Sequence, residues 1–470
     1  MTVTSSDHLA LLLARQREAQ RQHPVPGEAE RRADLLQLRA CLLDHREAIC
    51  DAISADYGYR SPHETRLTEI FPVLQDIEHA LTHLRRWMRP RRAEINRLAF
   101  GLASNRVLPQ PLGVIGVIVP WNFPLNLSLS PLVSILAAGN HAMLKMSEHS
   151  RHFARLLVEI TRDRFPPEKL LVLEDPGDLG PVFSSLPFDH LLFTGSSATG
   201  RKVAAAAAAN LCPVTLELGG RSPALVCDDF DPGRAAERII QAKCLNAGQI
   251  CVTVDHVYLP RAQVDRFVEA ATVAVRKRYG TLASPDYSSL IHDAAYQRLT
   301  GLLTDAVERG ARVLPLMPAP HHDAATHRLA PHLVIDPPDE AAVMQGEIFG
   351  PVLPILPYDH LDDVIARIQR QPRPLAFYPF TRQRERVRHL LEGVMSGGVT
   401  VNDAIFHVGQ SGLPFGGVGE SGMGHYHGRA GFENFSKLRP VFYQSRWAVT
   451  RLVQPPYGKA VEAVLQWFRS

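Results

Sequence analysis

The stretch LGVIGVIVP, residues 112–120, decides the fold class of this chain. Its residues are apolar without a polar interruption, and several of them are β-branched. A strand that is buried on both faces of a parallel sheet has this composition, whereas a half-exposed strand alternates apolar with polar residues. The stretch therefore predicts a central strand of a parallel sheet that is covered by helices.

Other short apolar runs follow at intervals that leave room for a helix, and this alternation predicts βαβ units and an α/β fold. The runs are HAMLK (141–145), LLVLE (170–174), HLLFTG (190–195), PALVCD (223–228), VDHVYLP (254–260) and VLPIL (352–356). The first ninety residues follow a helical pattern instead, with apolar residues at alternating steps of four and three. These residues are Ile70, Leu74, Ile77, Leu81 and Leu84.

Composition bounds the function. A chain of 470 residues is too long for a single core and indicates two or three domains. The net charge of +3 is too small for a nucleic-acid partner, and the basic run at 85–97 is interrupted, as expected of a solvated linker. No apolar run approaches the length of a membrane span. The six cysteines show no CxxC motif and the N-terminus no secretion signal, so we expect a cytoplasmic protein with reduced thiols.

Two short motifs contain a carboxylate and a thiol that could act in the same reaction. LELGG (216–220) contains Glu217, and NAGQIC (246–251) ends at Cys251. Taken alone, Cys251 is more typical of a buried core residue. Together, the thiol could capture a carbonyl carbon, and the carboxylate could activate the water that later releases the acyl group.

Three glycine patterns compete for a phosphate-binding role. GVGESG (417–422) matches GxGxxG, but no buried strand precedes it and no helix can begin there, which favours a structured loop. GSSATGRK (195–202) lacks the lysine and the hydroxyl of a nucleotide hydrolase loop. Gly195 and Ser196 end a strand directly before an alanine-rich helix, whose free N–H groups would suit a pyrophosphate.

Seven motifs follow one another in the sequence: PWNFP (120–124), LKMSE (144–148), FTGSSATG (193–200), LELGG (216–220), GQIC (248–251), EIFGP (347–351) and LPFGGVGESGMG (413–424). In this order, over about residues 112–441, they resemble the motifs of the NAD(P)-dependent aldehyde dehydrogenase superfamily. The flanking stretches GQICVTVDHVYLP, VNDAIFHVGQSGLPFGG and FSKLRPVF resemble its coniferyl aldehyde dehydrogenase branch.

The resemblance implies a role for each site residue. Cys251 would be the nucleophile, Asn122 would donate to the oxyanion, and Glu217 would activate the hydrolytic water. Cofactor-binding residues would be Trp121, Lys145, Glu148, Gly195, Ser196, Glu347 and Phe349. Glu148 would favour NAD, because a carboxylate repels a 2′-phosphate. NADP remains the alternative, because Met146 replaces the family's usual proline.

The resemblance also implies a Rossmann-like parallel-sheet cofactor domain (1–94 and 108–215), an α/β catalytic domain (216–398), a β oligomerisation arm (95–107 and 399–440) and a C-terminal tail (441–470). Leu98, Phe100 and Leu102 alternate with polar or small residues and would form an arm strand, which leads us to expect a homodimer. Val461, Val464, Leu465 and Phe468 give the tail an apolar helix face that would pack on the body or on a partner subunit.

The function expected is oxidation of a neutral, aromatic aldehyde such as coniferaldehyde. An acylating, coenzyme A-dependent enzyme, a catalytically silent family member and a thiol hydrolase remain alternatives. No metal is expected, because His425 and His427 lack a third ligand. The acyl pocket is predicted to include Phe123, Val252, Thr253, Ile405, Phe406 and His407.

Overall fold

The computed structural model describes residues 6–448, 450 and 454–467. Residues 6–87 are largely helical, which agrees with the helical pattern expected for the first ninety residues, and a π-helical turn at Arg66–Ile70 joins two of the helices. Ile77, Leu81 and Leu84 of the predicted stripe are buried against the rest of the molecule. The helices are α1 (Ser6–Gln22), α2 (Glu28–Asp44), α3 (Arg46–Tyr57), α4 (Pro62–Thr65) and α5 (Phe71–Trp87).

The first large sheet has six strands in the order β17-β7-β6-β3-β4-β5. Its strands are β3 (Val114–Ile118), β4 (His141–Lys145), β5 (Leu170–Leu173), β6 (His190–Gly195), β7 (Val214–Leu218) and β17 (Gly422–Met423). β3 is central, parallel to its neighbours and buried throughout, which confirms the prediction from residues 112–120. The helices are α7 (Asn126–Ala137), α8 (Arg151–Arg162), α9 (Leu179–Ser184) and α10 (Ser197–Ala208).

The second sheet has seven strands in the order β10-β13-β14-β9-β8-β15-β16, parallel except between β10 and β13. The strands are β8 (Pro223–Val226), β9 (His256–Pro260), β10 (Arg312–Pro315), β13 (His332–Ile335), β14 (Val352–Tyr358), β15 (Ala376–Phe380) and β16 (Gly398–Val399). The helices are α11 (Pro232–Cys244), α12 (Val264–Tyr279), α13 (Asp293–Glu308), α14 (Ala342–Gln345), α15 (Leu361–Gln369) and α16 (Arg384–Gly393). A two-stranded ribbon, β11 (His322–Asp323) and β12 (Arg328–Leu329), lies between β10 and β13 in the chain.

A third sheet has three strands, β1 (Arg91–Ala93), β2 (Ser104–Pro111) and β18 (Ser436–Tyr443), and residues 428–434 form the helix α17 (Gly428–Asn434). The strand predicted through Leu98, Phe100 and Leu102 is wrong, because Arg97–Phe100 forms a short helix, α6. Asn96 Oδ1 accepts from Ala99 N at 3.1 Å, and Gly101 follows with φ +58°. A capping residue and a left-handed glycine therefore outweigh the period-two pattern.

The glycine-rich segment after Val399 was predicted to build the arm, and this is wrong for most of its length. Gly422–Met423 instead pairs with β7, with Gly422 opposite Glu217. β7 itself crosses the predicted domain boundary between residues 215 and 216 and belongs to the first sheet. The tail contains the helix α18 (Lys459–Trp467), on which Leu465 is exposed; Phe468 and the side chain of Val464 lie outside the described residues.

Candidate active site

An apolar cavity of about 410 Å³ lies between the start of α5, the N-terminal part of α7, α11 and the segment around residues 403–409. Most of its lining side chains are aliphatic or aromatic. Cys251 is part of its wall and is partly exposed, while the other five cysteines are buried. This cavity therefore gives a small apolar molecule access to one thiol.

Cys251 lies in a loop that follows α11. Burial, together with the nearby charges of Glu347 and Glu217, which disfavour a second negative charge, raises the pKa of its thiol to about 12. The thiol is therefore neutral at physiological pH. The same electrostatic coupling places both carboxyl groups in the neighbourhood of the sulfur.

Glu217 is on β7, where its side chain is buried and both carboxyl oxygens lack hydrogen-bond partners among the described residues. Burial raises the pKa of this carboxyl well above its ordinary value. A buried carboxyl without donors is costly to the fold and is characteristic of functional sites. A raised pKa also makes the ionised form a stronger base than an exposed carboxylate.

Asn122 follows β3 and lies beside the Cys251 loop. Its Nδ2 donates to the carbonyl of Gln249 at 3.1 Å. Since an amide carries two N–H donors, this bond leaves the second N–H unused. A neutral N–H donor of this kind could stabilise a negative oxygen formed near Cys251.

Glu347, Phe349 and Trp121 border the same region. Burial raises the pKa of Glu347 to about 8, with a further contribution from the charge of Asp255. Phe349 has a left-handed backbone (φ +46°), and its ring meets that of Trp121 edge-on at 5.6 Å. A Cβ at Gly219 would lie 2.1 Å from Glu347 Oε2, so only glycine leaves room for this carboxyl.

Two residues that sequence reasoning missed hold the segment with Glu347. Asp255 Oδ2 accepts from the backbone N–H of Ile348 at 3.0 Å, and its other oxygen accepts from Arg221 Nε at 2.9 Å. Arg221 also donates to the carbonyl of Met344. Arg221 follows the LELGG motif, and Asp255 comes shortly after the GQIC motif. Only the fold, however, brings both residues next to the segment that follows α14.

The first sheet offers a cradle for a dinucleotide. Helix α10 begins after Ser196, whose hydroxyl accepts from Thr199 N at 3.2 Å, as the strand-to-helix prediction requires. At Gly195 a Cβ would lie 2.6 Å from the ring of Phe193, so a side chain at this turn would require that ring to shift. The N–H groups and positive end of the helix dipole are suited to phosphate oxygens.

Lys145 is the last residue of β4, and Glu148 follows three residues later. The ammonium of Lys145 pairs with Asp175, and Glu148 Oε2 lies 3.8 Å from it. Asp175, which the sequence did not single out, is buried and also accepts from three backbone N–H groups after β5. Glu148 is the more exposed of the two carboxylates and is therefore the one available to ribose hydroxyls.

The pocket prediction holds in part. Phe123, Val252, Ile405 and Phe406 line the cavity, but Thr253 and His407 do not. His407 Nδ1 is engaged by the Thr400 hydroxyl at 2.8 Å. Residues from the N-terminal helices and the C-terminal part were missed: Leu67, Phe71, Pro72, Phe415 and Tyr426.

One arginine also lines the cavity, although none was expected among the pocket residues. Arg238 is partnered by the carbonyl of Asn402 and by Asp403 Oδ2, the latter at 3.9 Å. His427 is buried at the cavity wall. Across residues 6–448, 450 and 454–467, no group of three His, Cys, Asp or Glu side chains could hold a metal, and no helix is long and apolar enough to cross a membrane.

A parallel sheet that carries a dinucleotide cradle and the buried carboxyl of Glu217, next to a second α/β unit with a cavity thiol, suits a nucleotide-dependent enzyme that acts through cysteine. A family model described as the aldehyde dehydrogenase family matches residues 5–441. The chain belongs to the aldehyde dehydrogenase family.

Two curated relatives are similar over nearly their whole length. The probable coniferyl aldehyde dehydrogenase of Pseudomonas aeruginosa is 45% identical over 460 residues, which cover 98% of this chain and 96% of the relative. The coniferyl aldehyde dehydrogenase of a Pseudomonas species is 43% identical over 430 residues, 91% of this chain and 89% of the relative. These similarities confirm the branch that the motif flanks indicated.

Solved structures give the same fold. A substrate-bound AldH of Staphylococcus aureus superposes with a TM-score of 0.93 at 31% identity and covers 100% of both chains. A Mycobacterium tuberculosis aldehyde dehydrogenase complexed with NAD⁺ has a TM-score of 0.83 at 27% identity, over 95% of this chain and 91% of that one. The predicted α/β fold is therefore confirmed.

Proposed function

We propose that this chain oxidises a neutral, aromatic aldehyde such as coniferaldehyde to its carboxylic acid with NAD(P). The observation that carries the proposal is the unpartnered, buried carboxyl of Glu217 within electrostatic reach of the cavity thiol of Cys251. A thiol alone captures an aldehyde reversibly. A thiol with a nearby base for water can complete an oxidation to an acid.

In the first step, Cys251 Sγ bonds to the aldehyde carbon, and the carbonyl oxygen takes the electron pair of the broken π bond. The thiol proton passes to water as the bond forms, and not before, since burial keeps the pKa of the free thiol near 12. The free N–H of Asn122 and the backbone N–H of Cys251 would donate to the new oxyanion. One such donor is worth about a hundredfold to a thousandfold in rate.

A bound nicotinamide ring supplies the hydride acceptor. Loss of hydride from the thiohemiacetal carbon leaves a thioester on Cys251. Glu217 then takes a proton from water, the hydroxide adds to the thioester carbon, and the carbon–sulfur bond breaks. The carboxylic acid leaves, and the Cys251 thiolate takes the proton that Glu217 holds, which restores both the thiol and the ionised carboxylate.

For the cofactor, the residues present fit a dinucleotide. Ser196 and the start of α10 would hold the pyrophosphate, with Gly195 leaving room for it, and Lys145 and Glu148 the adenosine ribose. Glu347 would hold the nicotinamide ribose, while Phe349 and Trp121 would flank the ring. We propose NAD over NADP, because the exposed carboxylate of Glu148 repels a 2′-phosphate. The relative from M. tuberculosis was solved with NAD⁺.

The cavity favours a neutral substrate with an apolar body. Its lining includes Phe71, Phe123, Phe406 and Phe415, whereas the single lining arginine, Arg238, is already paired with Asp403. A carboxylated semialdehyde would need an unpaired cation there. The names of two similar relatives, both coniferyl aldehyde dehydrogenases, add support for a cinnamaldehyde-type substrate.

Transfer of the acyl group to coenzyme A is the alternative reaction. It needs no base for water, so the burial of Glu217 without partners argues against it. A silent family member would have no reason to maintain that uncompensated carboxyl.

The test is formation of reduced nicotinamide, followed by absorbance, with NAD and either cinnamaldehyde-type aldehydes or succinic semialdehyde, each with and without coenzyme A. We expect the aromatic aldehydes to have the higher kcat/KM and coenzyme A to be unnecessary. Cys251→Ala should abolish turnover and leave NAD binding intact. The control is Cys227→Ala, at a buried cysteine directly after β8 of the second sheet, and this variant should retain turnover. Turnover by Cys251→Ala, or a strict need for coenzyme A, would contradict the mechanism.

We further propose a homodimer formed through the three-stranded sheet. Leu102, Phe442, Tyr443 and Trp447 are exposed on or beside it, and one edge of β18 is unpaired within the sheet. A monomer in sedimentation experiments would exclude it.

The six free cysteines fit a reducing compartment, and we propose the cytoplasm.

A further inference from the structure

The turn before Cys251 has an unusual backbone. Asn246, Ala247 and Gly248 follow one another with φ values of +50°, +49° and +75°. Gly248 is required there, since a Cβ would lie 2.3 Å from the carbonyl oxygen of Gly350. Asn246 and Ala247 have side chains, so their left-handed conformation must be maintained by surrounding contacts.

Asn246 makes those contacts. Its Nδ2 donates to the carbonyl of Asn122 at 3.0 Å, to Tyr57 Oη at 3.1 Å and to the carbonyl of Gln249 at 3.2 Å. Its backbone N–H donates to Glu64 Oε1 at 2.8 Å. One buried side chain thus connects the nucleophile turn to the N-terminal helices and to the Asn122 backbone.

The carbonyl of Asn122 receives a second strong donor from the N-terminal helices. Tyr57 Oη donates to it at 2.7 Å, and Arg60 Nη1 lies 3.3 Å from it. The side chain of Asn122 donates in turn to Gln249 O. Tyr57, Asn122, Asn246 and Gln249 therefore form a closed set of hydrogen bonds around the oxyanion donor and the turn.

We propose that Tyr57 and Asn246 are positioning residues for the reaction, which fix the amide of Asn122 relative to Cys251. Neither residue lines the cavity, and both are buried. Tyr57 holds the backbone that carries the amide, and Asn246 holds both that backbone and the turn. The proposal rests on the roles of Cys251 and Asn122 in the proposed function.

Tyr57→Phe tests the first half, because it removes the hydroxyl and preserves the ring. We expect kcat/KM for the aldehyde to fall about tenfold to a hundredfold, as for a small misplacement of a catalytic group, with KM for NAD unchanged within about twofold. The matched control is Tyr287→Phe, which removes another buried hydroxyl that donates to a backbone carbonyl (Leu329 O, 2.7 Å). Both variants should lose similar thermal stability, and only Tyr57→Phe should lose turnover.

A kcat/KM of Tyr57→Phe within about twofold of the parent, or an equal loss in Tyr287→Phe, would overturn the role of Tyr57. Asn246→Asp tests the second half, since it keeps the shape and the left-handed backbone but removes the amide donors. Labelling of Cys251 by iodoacetamide reports the turn without any aldehyde. We expect its rate to change at least threefold in Asn246→Asp, and an unchanged rate in a folded variant would overturn the role of Asn246.

These measurements separate the two proposals. If the parent protein oxidises no aldehyde, the proposed function fails, while labelling still reports the turn. If the parent is active and the variants match it in both assays, the positioning proposal fails alone.

Discussion

Two groups of buried charges in this molecule have opposite surroundings. Arg60, Glu64 and Glu69 form a cluster near the start of α5, in which Arg60 Nη1 lies 2.6 Å from Glu69 Oε1 and Nε 3.4 Å from Glu64 Oε1. Glu69 Oε2 also accepts from two backbone N–H groups at the start of α7. Glu217 and Lys243, by contrast, have no hydrogen-bond partner for their charged atoms among the described residues.

The difference distinguishes buried charges that stabilise the fold from a buried carboxyl that is available for a reaction. The Arg60 cluster is paired because an isolated charge in that core would destabilise the fold by several kcal/mol. Glu217 is unpaired, so nothing but substrate, water or the thiol can use its carboxyl. Burial accordingly raises the pKa of Glu217 and lowers that of Lys243 to about 8. The unpartnered carboxyl of Glu217 therefore supports its proposed role in the reaction, whereas the paired cluster of Arg60 with Glu64 and Glu69 stabilises the fold.

Among the variants that test this comparison, Glu217→Gln gives the largest effect that we expect. Steady-state turnover should fall about a hundredfold to ten-thousandfold, because water loses its base, while a pre-steady-state burst of NADH should persist or sharpen. Rapid-mixing absorbance checks this. Equal loss of the burst and the steady state would place Glu217 in an earlier step.

The same variant sharpens the comparison in stability. Because the pKa of Glu217 is raised in the folded protein, the fold loses stability as the pH rises above about 4.5, where the carboxyl ionises in the unfolded chain but not in the folded one. Above that pH, Glu217→Gln should therefore be at least as stable as the parent. Glu69→Gln, which weakens a real ion pair, should be less stable, and thermal melting of both at pH 7 compares them.

Arg60→Met should produce the next largest effect. It leaves Glu64 and Glu69 buried without their cation, and the free energy of unfolding should fall by about 3–5 kcal/mol. Arg266→Met is the control, since Arg266 forms an exposed pair with Asp231 at 2.6 Å that is worth at most about 1 kcal/mol. Urea unfolding that gives the two variants the same loss would contradict the structural importance of the cluster.

Lys243→Met should have the smallest effect and the opposite sign. Burial lowers the pKa of Lys243 from 10.5 to about 8, so below pH 8 the folded protein carries a buried cation that the unfolded chain hydrates more easily. Met should stabilise the fold by about 1–3 kcal/mol at pH 7. The stability gain should shrink as the pH rises from 8 to 10.5, because the folded parent then loses its buried charge. Urea unfolding of both proteins at pH 7 and pH 10 measures this gain. An equal gain at both pH values would contradict the prediction.

The sequence contained most of the fold because buried parallel strands have a strong local signal, as in residues 112–120. Cys251 and Glu217, the proposed nucleophile and base, could also be found from the sequence, since each lies in a short motif. Tyr57 and Asp175 were not, because hydrogen bonds between distant parts of the chain leave no spacing to detect. The helix at Arg97–Phe100 was missed because the prediction followed the apolar alternation alone and did not consider Asn96 as a helix cap.

The pairing of Gly422 with Glu217 has a consequence for biosynthesis. The ribosome must add about 200 residues after the Glu217 strand before its outer edge can be covered, which takes on the order of 10–40 s at typical elongation rates. Throughout that interval the nascent chain presents an open strand edge, the kind of surface that recruits other chains into aggregates. Chaperone dependence of the nascent protein should therefore end when the glycine-rich segment emerges, and a chain truncated before Gly422 would be a substrate for quality control.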